Sequence, residues 1–194
     1  MEGEVIACQP MLVFRWRKQG CNWQEVATHL IGSYNLDNVL AAVAVGLHFG
    51  VSPEKISHAI SHYISKNNRS EFRRTEHNCL VVDAYNANPT SMKAALENFR
   101  QMEHPHKMMI LGEMRELGTV SVEEHARIVQ QISMAGCEEV WLVGKEFSPF
   151  KDSYRYFSDV EAVKTFLQEN PVNDRLVLIK GSNGTRLFQL PDLM

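Results

Sequence analysis

Four short, unbroken apolar runs, separated by helix-length stretches, constrain this chain more than any other feature of it. They are Cys79-Leu80-Val81-Val82, ending at Asp83; residues 107–111, ending at Gly112; residues 139–143, ending at Gly144; and residues 176–179, ending at Lys180-Gly181-Ser182. Residues 154–157 form a weaker fifth candidate. A strand with one wet face alternates apolar and polar residues, whereas one buried on both faces reads as a continuous apolar run. Between the runs lie helical patterns. One is expected over about residues 91–102. Ser121-x-x-Glu124 reads as a capping box opening a helix that carries Ile128, Val129 and Ile132 on one face and closes at Gly136. Ser158-x-x-Glu161 reads as a second box, ahead of Val163, Phe166 and Leu167. Strands joined through helices pair in parallel with right-handed crossovers. Residues from about 73 to 194 therefore imply an α/β domain of three layers with a mainly parallel sheet.

The first 33 residues follow another rhythm. Leu12, Phe14 and Trp16 alternate with Val13, Arg15 and Arg17, the period of a half-buried strand. Residues 19–22 supply a turn, and residues 23–30 a returning strand. Leu36, Val39, Leu40, Val43 and Leu47 then recur at helical spacing, with Gly50 as a left-handed stop. Ser52-Pro53 is an N-cap followed by proline at the first helical position, and Ile56, Ala59, Ile60 and Tyr63 line one face of that second helix. The polar, aperiodic stretch 65–70 is the expected linker.

Composition excludes several function classes. A net charge of −3 gives no basic field to draw the whole chain to nucleic acid or anionic lipid. The longest apolar stretch, 39–49, is shorter than the roughly 18–20 residues of a membrane span and contains His48. The start, Met1-Glu2-Gly3-Glu4, is acidic where a signal peptide is basic. Cys8, Cys21, Cys79 and Cys137 form no C-x-x-C pair and read as reduced structural thiols of a cytoplasmic protein. The eight histidines lack metal-ligand spacing. His58 and His62 are four apart without an H-E-x-x-H, and His125 near a helix start favours a structural role. Neither G-x-x-x-x-G-K-[ST] nor G-x-G-x-x-G occurs.

Open parallel sheets bind ligands beyond the carboxyl ends of their strands. That nominates residues 83–89, 112–118, 144–145 and 180–184. Asp83 can accept bonds from ribose hydroxyls, and Asn86, Asn88 and the following helix start can contact phosphate. Asn88 reads equally well as a helix cap. Lys180-Gly181-Ser182 can hold a carboxylate or phosphate, or be a snorkelling lysine before a turn.

Asp83-Ala84-Tyr85-Asn86-Ala87-Asn88-Pro89-Thr90-Ser91-Met92 resembles the D-A-Y-N-A-N-P-x-S-M segment found in the Mur ligase family. Gly32-Ser33-Tyr34-Asn35-Leu36-Asp37-Asn38 is similar to the family's G-x-x-N-x-x-N, residues 111–118 to its L-G-[DE]-M-x-E-L-G, and Lys180-Gly181-Ser182 to its K-G-S. The resemblance runs from about residue 30 to the end. It implies a Rossmann-like three-layer domain over 73–194, preceded over 1–72 by the C-terminal part of an ATPase domain. It also implies an ATP- and Mg2+-dependent ligase of peptidoglycan precursor synthesis. In the branch with this aspartate segment, the terminal carboxylate of a UDP-N-acetylmuramoyl-tripeptide is phosphorylated, and the amine of D-Ala-D-Ala attacks the acyl phosphate.

The same resemblance implies ATP contacts from Asn35 and Asn38 to adenine, from Asp83 to ribose, and from Arg69 at the domain junction. It implies dipeptide or phosphate contacts from Asn86, Asn88, Lys180 and Ser182. The family's phosphate loop and Mg2+ ligands have no counterpart in this sequence, so a C-terminal fragment, inactive alone, is expected. The alternatives are a stand-alone nucleotide- or dipeptide-binding module and another amide ligase of the superfamily. Two further expectations follow: that Asp83→Ala spares the fold, and that the linker around 67–70 acts as a hinge.

Overall fold

A computed structural model describes residues 1–65 and 68–194 and divides into two compact units, Met1–Ser65 and Lys66–Met194. In the first unit, β1 (Glu2–Cys8), β2 (Met11–Arg17) and β3 (Gln24–Ile31) form an antiparallel sheet in that order. The alternation read in β2 is realised: Leu12, Phe14 and Trp16 are buried and their neighbours are partly exposed. The outward arginines do cross-strand work. Arg15 and Arg17 lie opposite Glu4 and Glu2 and pair with them, and both guanidinium groups stack on Trp23. Helices α1 (Leu36–His48) and α2 (Pro53–Ser61) cover the apolar face with Val39, Val43, Ile56 and Ile60. Ser52 caps α2 by accepting from the Lys55 amide, and Gly50 takes φ +73°, as the sequence implies.

The second unit is the expected α/β domain. Its sheet runs β4 (Glu71–Arg74), β5 (Asn78–Asp83), β9 (Arg175–Lys180), β6 (Lys107–Gly112), β7 (Glu139–Val143), β8 (Arg155–Phe157). All neighbouring pairs are parallel except β4 with β5. The expected boundary at 72/73 falls inside β4, which pairs with β5 along its whole length. The expected hinge lies partly outside the described residues, because 66 and 67 are not among them.

Helices α3 (Pro89–Gln101), α4 (Ser121–Ile132) and α5 (Val160–Glu169) make the crossovers. On one face Leu80, Val82, Ile110, Val143, Val177 and Ile179 pack against Val160, Val163 and Leu167 of α5 and against the C-terminal residues Leu187, Leu190 and Met194. The alternate strand residues, Val81, Met109, Leu111 and Leu178, are equally buried and point to the opposite face, where α3 and α4 pack on each other. Burial on both faces is the physical reason for the unbroken runs.

Both expected capping boxes are corrected. Val120, not Ser121, sits at the N-cap of α4 and makes no side-chain cap; the Ser121 hydroxyl donates instead to Glu146 at 2.6 Å. Asp159, one residue after Ser158, caps α5 by accepting from the Ala162 amide at 2.9 Å. That bond and the Ser158 hydroxyl hold the Asp159 carboxyl below its ordinary range. Asn88, read also as a helix cap, forms a full box instead: it accepts from the Ser91 amide while Ser91 Oγ accepts from the Asn88 amide, at the start of α3.

Candidate functional site

The carboxyl ends of β5 and β9 meet at residues that are register partners, Asp83 and Lys180. Lys180 is 1% exposed, and its ammonium donates to Asp83 Oδ2 at 2.5 Å and to the Asn86 carbonyl at 3.2 Å. Asp83 Oδ1 accepts from the Ser70 amide at 3.3 Å. A buried ammonium in a sheet needs a carboxylate, and a carboxylate at a sheet edge needs a cation. Each residue thus answers the other's desolvation, and Lys180 is not a snorkelling lysine. Against the expectation that Asp83→Ala spares the fold stands the burial of Lys180, which the substitution would leave without its counter-charge. Arg69 stacks over Tyr85, 3.8 Å from the ring centroid. Asn86 Oδ1 accepts from the Ala87 amide at 2.8 Å in a local turn.

The structure therefore brings Arg69, Asp83, Asn86 and Lys180 together around one strand end. It gives Asn88 a helix-capping duty. It places Ser182 beside β6 instead, where its hydroxyl, 5% exposed as a residue, accepts from the Arg115 amide at 2.8 Å. In the first unit, buried Asn35 donates to the Ile31 carbonyl at 2.8 Å and accepts from Asn38 Nδ2 at 2.9 Å. The first asparagine is thus used in fixing the start of α1. The second, exposed, keeps its carbonyl oxygen and one amide hydrogen for an outside partner.

A second cluster, which no single-residue reading of the sequence picked out, lies at the ends of β6 and β7. Buried Glu113 accepts from the Glu146 amide at 3.2 Å through Oε2 and from Arg115 Nε at 3.4 Å through Oε1. Its carboxylate lies against Gly144: a Cβ there would come 2.6 Å from Glu113 Oε2, and φ of +110° suits glycine alone. Glu113, Arg115, Gly144, Asp159, Gly184 and Arg186 line a cleft of about 220 Å³. Its walls carry charges of both signs, the pattern that a small zwitterion requires. The sequence signals were positional, since each of these residues follows a parallel strand, and for Glu113 also the likeness of residues 111–118 to a family motif.

Among the described residues, no group of three or more His, Cys, Asp or Glu side chains gathers as metal ligands. Among the same residues, no helix is long and apolar enough to cross a membrane.

Residues 68–183 match the family model of the Mur ligase, glutamate ligase domain. The UDP-N-acetylmuramoyl-tripeptide–D-alanyl-D-alanine ligase of Rickettsia prowazekii is 38% identical over 130 residues, 64% of this chain and 29% of that protein. The Bacillus subtilis ligase of the same name is 31% identical over 172 residues, 83% of this chain and 38% of that protein. A crystal structure of MurF from Acinetobacter baumannii superposes with a TM-score of 0.80 at 27% identity, covering 99% of this chain and 43% of that one. The chain thus spans about a third of the length of the relatives it matches. With the family model covering more than half of it, this chain belongs to the Mur ligase family.

Proposed function

We propose that this chain forms the portion of an ATP-dependent ligase that receives the incoming amine, and that the ligase joins D-Ala-D-Ala to UDP-N-acetylmuramoyl-tripeptide. The observation that carries the reading is the cleft at the ends of β6, β7, β8 and β9, with Arg115 and Arg186 against Glu113 and Asp159. A dipeptide zwitterion offers a carboxylate to arginines and an ammonium to carboxylates. The likeness to the Rickettsia and Bacillus ligases supports this choice among zwitterions.

In this reading the chain's own residues orient and do not activate. Arg115 and Arg186 hold the dipeptide carboxylate, and Glu113 steers its amine. Asp83 retains lone pairs beyond those used by Lys180 and Ser70, enough to accept a ribose hydroxyl, and Arg69 serves the same nucleotide. Lys180 and Ser182 act one step removed, the first by holding Asp83 and the second by holding the Arg115 backbone. Phosphorylation of the tripeptide carboxylate belongs to parts of the relatives that this sequence does not match.

The test is phosphate release by the ligase that contains this chain, with Mg2+, ATP, the muramoyl tripeptide and D-Ala-D-Ala. Turnover is expected with the dipeptide and not with N-acetylated D-Ala-D-Ala. Arg115→Ala should raise the dipeptide KM about 10-fold or more, the loss of one charge-assisted bond. Equal turnover with other small amines, or an unchanged KM, would reject the assignment. The described chain by itself is expected to release no phosphate from ATP.

A further inference from the structure

His125 is fully buried on α4, and the proposed chemistry gives it no duty. Its Nε2 accepts from the Met114 amide at 2.9 Å, so that nitrogen carries no proton. Its Nδ1 therefore carries the hydrogen and donates to the Ser121 carbonyl at 2.7 Å. The ring stands edge-on to Phe147, with centroids 4.8 Å apart, which fixes its plane. The Met114 amide is not part of any helix or sheet ladder, so the imidazole is its partner in the fold.

These bonds close a circuit. Ser121 donates through its hydroxyl to Glu146 Oε2, and the Glu146 amide donates to Glu113 Oε2. Glu113 precedes Met114, whose amide returns to His125. The next amide, that of Arg115, is held by Ser182 Oγ. Two consecutive backbone amides after β6 are thus anchored by side chains from two other elements, and the residues flanking them, Glu113 and Arg115, line the cleft.

We propose that His125 is a positioning residue. In its Nδ1–H tautomer it holds the Met114 backbone so that Glu113 and Arg115 face the cleft in the geometry that a small zwitterion needs. The groups facing the imidazole are Met114 from the loop after β6, Ser121 from its own helix and Phe147 from the segment after β7, with Glu146 one bond further on through the Ser121 hydroxyl. This inference rests on the proposed receipt of the amine in that cleft, and its first test does not.

The two amide side chains separate the two imidazole nitrogens. Glutamine reaches the position of Nε2 and can accept from the Met114 amide, whereas asparagine stops near Nδ1 and reaches only the Ser121 carbonyl. On this chain, amide exchange at Met114 should be slow in the natural protein and in His125→Gln, and at least 10-fold faster in His125→Asn. Equal protection in both variants would overturn the positioning role. In the ligase containing the chain, His125→Asn should raise the dipeptide KM about 10-fold and leave the KM for ATP within about twofold, with His125→Gln recovering most of the loss. A uniform fall in kcat with both KM values unmoved, or identical behaviour of the two variants, would overturn it as well. If the unaltered ligase ignores D-Ala-D-Ala, the functional reading fails, and the exchange measurement still decides the placement of the Met114 backbone.

Discussion

Two buried lysines stand at opposite ends of adjoining strands and solve the same problem differently. Lys107 opens β6 at the amino edge of the sheet, while Lys180 closes β9 at the carboxyl edge. Lys107 donates to the Arg100 carbonyl at 3.2 Å and lies 5.0 Å from the centroid of Phe99. No ion pair between Lys107 and a carboxylate is present among the described residues. Lys180 is paired with Asp83. A dipole and a ring suffice for an ammonium whose only task is to fill the end of a strand. A full counter-charge, with lone pairs to spare, is found where a ligand is expected. Polar burial alone therefore does not mark the site, since both edges have it. The amino edge also holds Asn78, 5% exposed, which donates to the Val172 carbonyl at 2.7 Å and accepts from the Arg175 amide at 3.1 Å. Its side-chain bonds all run to backbone groups, whereas Lys180 also meets a carboxylate.

The largest effect should come from breaking the ion pair from one side. Lys180→Met leaves Asp83 largely buried without its cation, which should cost about 3–5 kcal/mol of stability. Lys107→Met strands no charge and should stay within about 1 kcal/mol, in either direction. Urea unfolding of this chain at neutral pH measures both. Similar costs for the two variants would dissolve the distinction drawn between the edges.

The same pair can be removed whole. Asp83→Asn together with Lys180→Met should cost less than the sum of the single changes, with a coupling of about 2 kcal/mol, because neither charge is then stranded. Additive costs would mean that the two side chains do not depend on each other, despite their 2.5 Å contact.

Most of the second unit was legible in the sequence because burial on both faces writes itself as unbroken apolar runs. The edge strand β4 was not, since Glu71-Phe72-Arg73-Arg74 is short, charged and paired on one side only. The Ser121 and Ser158 boxes failed for different reasons: a tertiary partner, Glu146, takes the Ser121 hydroxyl, whereas the adjacent Asp159 takes the cap position and accepts from Ser158. The candidate site was legible as a location, beyond the strand ends. The pairing of Asp83 with Lys180 was not, because it depends on β9 inserting between β5 and β6, across 97 residues of chain. The resemblance to the Mur ligases picked out Asn88 as a substrate contact, whereas its side chain is occupied at the start of α3.

That occupation gives a smaller test of the carboxyl edge. Asn88→Ala removes the side-chain half of the box, the bond accepted from the Ser91 amide, and should cost about 1 kcal/mol, with Asn88→Asp close to the natural protein. In the ligase, an effect of Asn88→Ala on the dipeptide KM without the stability loss would reverse the order of its duties and enlarge the ligand-facing set.

The smallest effect returns to Lys107 and depends on pH. Burial holds its ammonium below the ordinary value of 10.5, against a weaker opposing pull from the Cys137 sulfur. The unfolded chain keeps that proton up to 10.5, whereas the folded one releases it earlier. Between the two values the unfolded state binds more protons, so the contribution of Lys107 to stability rises with pH; its cost, present at neutral pH, is relieved as the folded ammonium deprotonates. Cys137 acts in the opposite sense. Burial pushes its thiol from 9.0 up to about 11, so stability falls as pH climbs from 9 through 11. The two slopes overlap, and a Cys137→Ala background separates them. In that background Lys107→Met should gain on its parent at pH 8 and lose that advantage as pH rises to 10.5. Lys107 would rank with Lys180 as a paired cation if the advantage instead grew with pH, because a cation held by a carboxylate loses its stabilising contribution as it deprotonates.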